Sequence, residues 1–569
     1  MSAGRAAAAR DWPRSHAALA LYGLVLAVAA FVLLSCAAGL TYFQDAWEFL
    51  LNRRSFTADA LLQPHGEHIV VFPVAIQQAL LGAFGMDSAR PGDVVLVVAL
   101  LLSATLVFAY VRRRLGPWPA LIAAVLLLFL GPAWQDLLWP FQISLVGSLL
   151  FGVAMLLALD REDGRGDAVA CACLVLSVGF SSLGVAFVVG AVVDVLYRRS
   201  RLPAAHADKG ERGAGWGRAY VALVPLLLYA VWYVGWGHRA DSQMTLHNVL
   251  VSPRFLLESL SASLGSLLAL STIAGEAVGR SRWGYVVLAG IVVLLAYGWR
   301  RGQRPSPRLW PVLASAATFW LLAAFNFIPG REAYSSRYLY VGGAFVLLIA
   351  ADLLNGIRLD RRALLPAAAI AAAIAVVNLT PLREGRDFFR AQTLLTRSDL
   401  AAIEIARRSV DPGFALTTEV AGTPFLNEVR AGEYLAAVRE HGSPAYTPAE
   451  LARAEEAGRR QADVVLANAL PVTVDSVAGA AGGGRGCVRV PAGDAAPPVR
   501  LRPGLTRVAV AAGPAATLRL RRFARGGYPL EGTVPGGSTA LIRIVADAAE
   551  RPWQMRLQAA QRALLCRAE

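Results

Sequence analysis

Lysine is all but missing from this chain: Lys209 stands alone among 55 basic residues, the others being arginine. Charge of either sign is scarce too, at 17% of 569 residues, where soluble proteins carry about 25%. That shortfall excludes a string of soluble domains, the ordinary expectation at this length. It is also uneven. Residues 17–379 hold one long apolar run after another, and 380–569 hold none. No period of 20 to 50 residues recurs, which excludes a solenoid. No glycine fingerprint for a nucleotide appears either, because the glycines at 482–486 lack a preceding strand and a following helix. What is present is 56% apolar residues and a mean hydropathy of +0.49. This is the composition of a mainly α, polytopic membrane protein with a soluble tail. The net charge of +15 does not call for nucleic acid. Many of the arginines flank apolar runs, where they report membrane orientation.

A helix crossing the hydrocarbon layer needs about 20 apolar residues. Eleven spans are predicted, at roughly 17–40, 92–111, 118–134, 143–159, 168–181, 183–197, 219–236, 284–299, 310–328, 338–355 and 363–380. With a cytoplasmic N-terminus (Arg5, Arg10, Arg14), five basic groups fall on one side. They are Arg112-Arg113-Arg114, the loop Asp160 to Asp167, Arg198-Arg199 with Arg201, Arg300-Arg301 with Arg304 and Arg308, and Arg358 with Arg361-Arg362. The expected location is therefore the plasma membrane, multi-pass, with the tail extracytoplasmic. Two further apolar stretches, His68 to Phe84 and Phe255 to Ile273, threaten this alternation. A crossing by the first would move the Arg112 cluster outside, and a crossing by only the second would move the four arginines after Trp299. Both are therefore taken as interfacial or re-entrant on the outer face. The first apolar run, about 24 residues long, exceeds the h-region of a cleavable signal.

The expected organisation is a transmembrane domain over 1–380, a mainly helical extracytoplasmic segment over 381–481 and a small β-sandwich over 482–569. Residues 382–408 carry a helical pattern. Thr447-Pro448-Ala449-Glu450 opens a second helix, to about Ala462, with threonine as N-cap and glutamate at the third position. Gly482-Gly483-Gly484 reads as a linker. Strands are expected at 487–490, 499–501, 507–511, 517–523, 540–545 and 554–566, with Leu518 and Leu520 facing away from Arg519 and Arg521. Cys487 and Cys566 bracket the sandwich. They are either a disulfide stapling it in an oxidising compartment or two unpaired thiols.

Chemistry concentrates in the first outer loop. Asp45 and Glu48 are spaced i, i+3, so on a helical turn both carboxylates share one face, beside apolar walls that can tune them as a general base. They can equally be two acids in an ordinary solvated loop. His65, Glu67 and His68 are three potential ligands in four residues. They would either hold a divalent cation (magnesium, manganese or zinc), the one cofactor the sequence could accommodate, or hydrogen-bond to neighbouring loops or substrate hydroxyls. In the second outer loop Asp136 could join the acids, and Trp134 and Trp139 are either belt aromatics or platforms for a sugar. Arg331, Arg337 and Tyr338 stand at the outer end of the tenth span. Arginine there runs against the positive-inside trend. An anionic partner such as a lipid-linked phosphate would account for it; so would snorkelling with an ion pair to Glu332.

Taken together, the first span entering from the cytoplasm, the acidic Asp45-Ala46-Trp47-Glu48 motif and the apolar segments that follow resemble the GT-C superfamily of integral membrane glycosyltransferases. That group includes the protein O-mannosyltransferases and the lipid A aminoarabinose transferases. The layout also looks like that of actinobacterial membrane proteins with an outer C-terminal tail. The resemblance covers 17 to about 380, and the tail has no counterpart. It implies sugar transfer from a polyprenyl-phosphate-linked donor to a cell-envelope glycan, lipid or protein on the outer face, with inversion. Asp45 matches the catalytic acid, Glu48 makes a D-x-x-E variant of the paired acids, Asp136 matches a second acidic position, and Arg337 matches, less closely, the residue that contacts the donor phosphate. Three other readings compete. A transporter should carry ionisable groups at mid-membrane, yet Asp194 and Asp352 lie near inner ends. A glycan polymerase or ligase often relies on a large outer loop late in the chain. A non-catalytic scaffold would retain the fold alone.

Overall fold

A computed structural model describes residues 2–200, 217–240, 242–301, 306–356, 360–421, 426, 429–470, 472–479, 487–490, 497–558 and 563–567. The Gly482-Gly483-Gly484 linker and Arg201, Arg304 and Arg358 lie outside the described residues. Each predicted span forms a helix: α1 (Ser2–Cys36), α2 (Arg90–Leu115), α3 (Pro117–Leu128), α4 (Ile143–Leu159), α5 (Gly164–Phe180), α6 (Gly184–Ser200), α7 (Tyr220–Gly235), α8 (Arg282–Arg300), α9 (Leu309–Phe325), α10 (Ser336–Leu353) and α11 (Arg361–Ala406). This is a multi-pass membrane protein. Among the described residues six segments, within α1, α2, α4, α8, α10 and α11, are long and apolar enough to cross a bilayer by themselves. A seventh is α3 with its continuation Gly131–Leu138, bent by 47°. The bend falls at Gly131, where a Cβ would stand 1.7 Å from the Asn378 carbonyl oxygen, so no other residue lets the two backbones approach so closely. The remaining helices have 16 or 17 residues, about 25 Å at the α-helical rise and at the short end of spanning length.

The two ambiguous stretches also form helices. Val71–Phe84 has 14 residues, about 21 Å and short of a span. Leu246–Leu267 is long enough, but it falls short of the apolarity of the six spanning segments. Its Asn248 side-chain amide donates to the Phe325 and Phe327 carbonyls at the end of α9. Its Ser261 hydroxyl donates to the Ser281 carbonyl just before α8. A left-handed Ala269 then stops it.

The chain divides into two compact units. The first comprises Met1–Ala38, Ser55–Gln77 and Arg90–Phe388; the second comprises Gly39–Arg54, Gln78–Ala89 and Phe389–Glu569. Within the first unit, ionic contacts gather one set of helix ends. Arg114 of α2 pairs with Asp352 at the end of α10 and with Asp160 after α4. Arg308, before α9, reaches Asp160 at 2.9 Å and Glu162 at 3.3 Å. Arg198 of α6 binds Glu162 and Asp194, and Arg218, before α7, binds Asp167 at 2.7 Å. The Tyr110 hydroxyl donates to Asp352 at 2.6 Å. These are the ends that the arginine pattern placed on a common side, and they do meet.

The second unit draws part of the loop between α1 and α2 onto the tail. Trp47 is buried and packs edge-on against Tyr434, and the Met86 amide donates to the His441 carbonyl at 2.6 Å. The helical pattern expected over 382–408 is no separate element. It is the continuation of α11, which runs 46 residues through Pro366 and Pro381. The Pro381 ring reads in sequence as a breaker, and the helix tolerates it. Thr447 and Glu450 form the expected capping box, but that helix ends at Leu451 and a new one, Glu456–Ala469, follows.

Among the described residues nine strands then build two antiparallel sheets. They are β1 (Thr473–Ala478), β2 (Val488–Val490), β3 (Val499–Leu501), β4 (Gly504–Val510), β5 (Ala516–Arg521), β6 (Leu530–Val534), β7 (Ser538–Ile544), β8 (Trp553–Gln558) and β9 (Ala563–Arg567). The sheet orders are β1-β7-β4-β9-β2 and β3-β8-β5-β6. Expectation fails at three points, one of them β6, a strand at 530–534 that was not expected and that pairs with β5. β1 starts the first sheet before residue 482 and is mostly exposed, so it lacks the alternation that marks a strand. The stretch 554–566 is two strands, β8 and β9, in different sheets. Asp463 ties the Glu456–Ala469 helix to the sandwich by accepting the amides of Arg522, Phe523 and Ala524 at 2.8–3.0 Å. Cys487 and Cys566 form a disulfide across 79 residues of sequence. By loop-closure entropy it is worth about 4 kcal/mol.

Candidate active site

The other ends of the first unit's helices carry the candidate residues. His65 and His68 close a two-residue turn, each amide donating to the other's carbonyl at 3.0 and 2.9 Å, with Gly66 supplying the positive φ of 53° that such a turn needs. The turn is held on both sides. The Ser182 hydroxyl, between α5 and α6, accepts the Ile69 amide and donates to the Glu67 carbonyl, and the Glu67 carboxylate accepts the Gln243 amide. The His65 ring meets Phe141 edge-on, with centroids 5.1 Å apart. His65, Glu67 and His68 therefore fit the hydrogen-bonding role better than the metal role. Among the described residues no three His, Cys, Asp or Glu side chains come together as a cation site.

His68 Nδ1 is buried and has no hydrogen-bond partner among the described residues. Burial pushes the imidazole down to about 4, with His65, Arg331 and Arg337 acting in the same direction. At neutral pH His68 is thus an uncharged donor and acceptor close to two guanidinium groups. Arg337 lies over Trp139, 5.9 Å from the ring centre, a cation–π contact that fixes its direction without cancelling its charge. Its Nε is buried and unpartnered among the described residues. Neither Arg331 nor Arg337 makes an ion pair there. The expected neutraliser, Glu332, instead turns back to accept the Gly330 amide at 3.0 Å and the Ser335 hydroxyl at 3.4 Å.

Asp136 sits on the bent continuation of α3, wholly buried. One carboxylate oxygen accepts the Tyr340 amide at 3.4 Å, and the other has no partner among the described residues. Asp136, Arg331 and Arg337 all act electrostatically on Tyr338, so these four share one neighbourhood with His68. Trp134 is placed differently, its ring against Phe388 and Gly385 of α11. Trp139 and Phe141 stack at 5.3 Å, and Trp139 is 1% exposed, a core residue under Arg337 rather than a belt aromatic.

Asp45 and Glu48 belong to the second unit. Asp45 holds the N-cap position of the short helix Ala46–Leu51 without capping it through its side chain. Glu48, one turn in, accepts from Arg53 Nε at 2.8 Å. Since Arg53 is 1% exposed, Glu48 is the counter-ion that makes that burial tolerable. Sequence gave no sign of Arg53 as a partner, nor of Asn248, which also donates to the Gln243 carbonyl at 3.0 Å and so secures the strand of chain against Glu67.

Beside the His65–His68 turn lies a surface cavity of about 380 Å³, lined by Asp59, Gln63, Pro64, Gly66, Trp236, Arg239 and Ala240. The Trp236 indole donates to Asp59 at 3.0 Å. An aromatic face with a few polar groups is the usual make-up of a small-molecule site.

No protein-family model matches the sequence, and comparison with curated proteins gives no match. Two solved structures are similar to the chain, both of ArnT from Cupriavidus metallidurans. The one bound to undecaprenyl phosphate is 13% identical and has a TM-score of 0.43, with 75% of this chain and 89% of that one covered. The apo one is 14% identical with the same TM-score, with 70% and 82% covered.

Proposed function

We propose that this protein is a membrane glycosyltransferase that moves a sugar from a polyprenyl-phosphate-linked donor to an acceptor hydroxyl on the extracytoplasmic side. The observation that carries the reading is the pair of guanidinium groups, Arg331 and Arg337, at one end of an apolar helical unit, which make no ion pair among the described residues while Glu332 turns to Gly330 and Ser335. A half-buried cation without a counter-ion is costly unless a ligand supplies the charge. A phosphate at the head of an apolar chain meets both demands, because guanidinium binds it through paired N–H groups while the chain lies among apolar helices.

In this reading Asp45 takes the proton from the acceptor hydroxyl, and the oxygen attacks the anomeric carbon. The bond from that carbon to the phosphate oxygen breaks, and polyprenyl phosphate leaves with the electron pair. Arg337 and Arg331 stabilise the charge that develops on it. Inversion follows from a single displacement. Asp136 positions Arg337, neutral His68 orients hydroxyls, and Glu48 is engaged with Arg53. The cavity beside Gly66 and Trp236 is the approach for the acceptor.

Protein reconstituted in liposomes with radiolabelled polyprenyl-phosphate sugars would test the reading by release of free polyprenyl phosphate. The wild type should release it, and Asp45→Asn should fall by 10³-fold or more while inserting normally, in the range of a lost general base with its orienting bonds. Release by Asp45→Asn at the wild-type rate would remove Asp45 as the base. A second reading, a scaffold with this architecture, would predict no release by either protein.

A further inference from the structure

The sandwich carries fourteen arginines against five acidic residues between Thr473 and Arg567, and the strand register sorts them unequally. In the four-stranded sheet, Leu518, Leu520, Met555 and Leu557 point inward and are buried. The opposite positions carry Thr517, Arg519 and Arg521 on β5, Gln554, Arg556 and Gln558 on β8, and Arg500 on β3. Arg519 and Arg556 stand directly across from one another. Like charges at that spacing destabilise a sheet. Glu531, the one acid on this face among the described residues, pairs with Arg519 at 2.8 Å, which leaves Arg500, Arg521 and Arg556 without an ion pair among those residues. Tyr528 lies between Arg521 and Arg556, 4.6 and 5.3 Å from its ring centre. Its hydroxyl and Arg556 Nε are buried with no hydrogen-bond partner among the described residues. The outward face of the five-stranded sheet differs, mixing Arg507 and Arg543 with Leu505 and Leu541.

We infer that the outward face of the four-stranded sheet binds an acidic glycan, a saccharide chain bearing carboxylate or phosphate groups. Charge complementarity supplies the attraction. The two glutamines and the threonine supply a polar row for sugar hydroxyls, and the Tyr528 ring, flanked by Arg521 and Arg556, holds those guanidinium groups in place by cation–π contact. An anionic bilayer would meet the same charge. Interfacial binding, however, gains from apolar side chains buried among the headgroups, and this face presents no outward aliphatic side chain on β5 or β8. The inference does not rest on the transferase reading.

Full-length protein in nanodiscs of zwitterionic lipid would be titrated with fluorescent oligogalacturonate, and with neutral dextran of matched length. Binding of oligogalacturonate that weakens with salt, with none for dextran, is expected. Arg519→Gln with Arg556→Gln should weaken it at least tenfold, whereas Arg507→Gln with Arg543→Gln, the same charge change on the other sheet, should change it less than twofold. The first pair removes a like-charge repulsion, so its melting temperature should hold or rise. Arg521→Gln, which leaves both in place, gives an independent reading and should weaken binding severalfold. Equal loss from both pairs would reduce the effect to net charge and overturn the assignment. So would unchanged binding by the Arg519/Arg556 pair, or capture by phosphatidylglycerol vesicles with no binding of oligogalacturonate.

Discussion

Arginine does opposite work at the two ends of α10. Asp352, in its last turn, is fully buried against Arg114, with Tyr110 and Asp160 completing the cluster. Arg337, in its first turn, lies about 22 Å away along the helix, over an aromatic ring and with no ion pair among the described residues. The paired end holds helix ends together. The unpaired end keeps a positive charge available. The residue type is the same, so the difference lies in what each guanidinium meets, and a mutation series should separate the two roles.

The largest effect is expected at the paired end. Arg114→Ala leaves Asp352 buried without its counter-ion, while Asp160 keeps Arg308, and should lower stability by about 3–5 kcal/mol. Thermal unfolding in detergent would record this, with donor affinity unchanged in whatever folds. Arg337→Ala should leave unfolding near the wild type and weaken polyprenyl-phosphate binding by about 100-fold, close to 3 kcal/mol. Titration with the labelled lipid would show whether the two variants divide in this way, and the comparison breaks if both lose stability alike. Arg331→Gln should cost less, about tenfold in the same titration. A separate effect is on pH dependence. The His68 imidazole is pushed down to about 4 from an unfolded value near 6.5, so the unfolded chain binds the extra proton between those values. Its contribution is fully present above about pH 6.5 and is lost as pH falls toward 4. His68→Gln should flatten unfolding temperature against pH across that window, and a wild-type profile already flat there would show that the ring is not held neutral.

Much of this arrangement could be read from residue types. The eleven helices followed from apolar runs, and the common side of Arg112 to Arg114, Asp160 and Arg308 followed from the arginines beside them. Leu518, Leu520, Arg519 and Arg521 announced a strand, and Thr447 with Glu450 announced a cap. Long-range choices were not legible. Nothing local to Glu48 says that Arg53 would be buried and need it, and nothing near Glu332 says that it would turn back on Gly330 and leave Arg331 alone. Asp45 and His65 sit 20 residues apart in one loop, yet belong to different units, because Trp47 and Met86 find their apolar partners on the tail. β1 was hidden for a similar reason: an exposed strand has no buried face to set a period.

The central claim is that Arg337 is kept unpaired for a lipid-linked phosphate. Native mass spectrometry of protein exchanged into polyprenyl phosphate, then stripped with detergent, counts the lipid that stays bound. The wild type and Arg112→Gln, an exposed arginine of the paired end, should each retain one molecule, and Arg337→Gln should retain none. Equal retention by Arg337→Gln and Arg112→Gln would contradict the account.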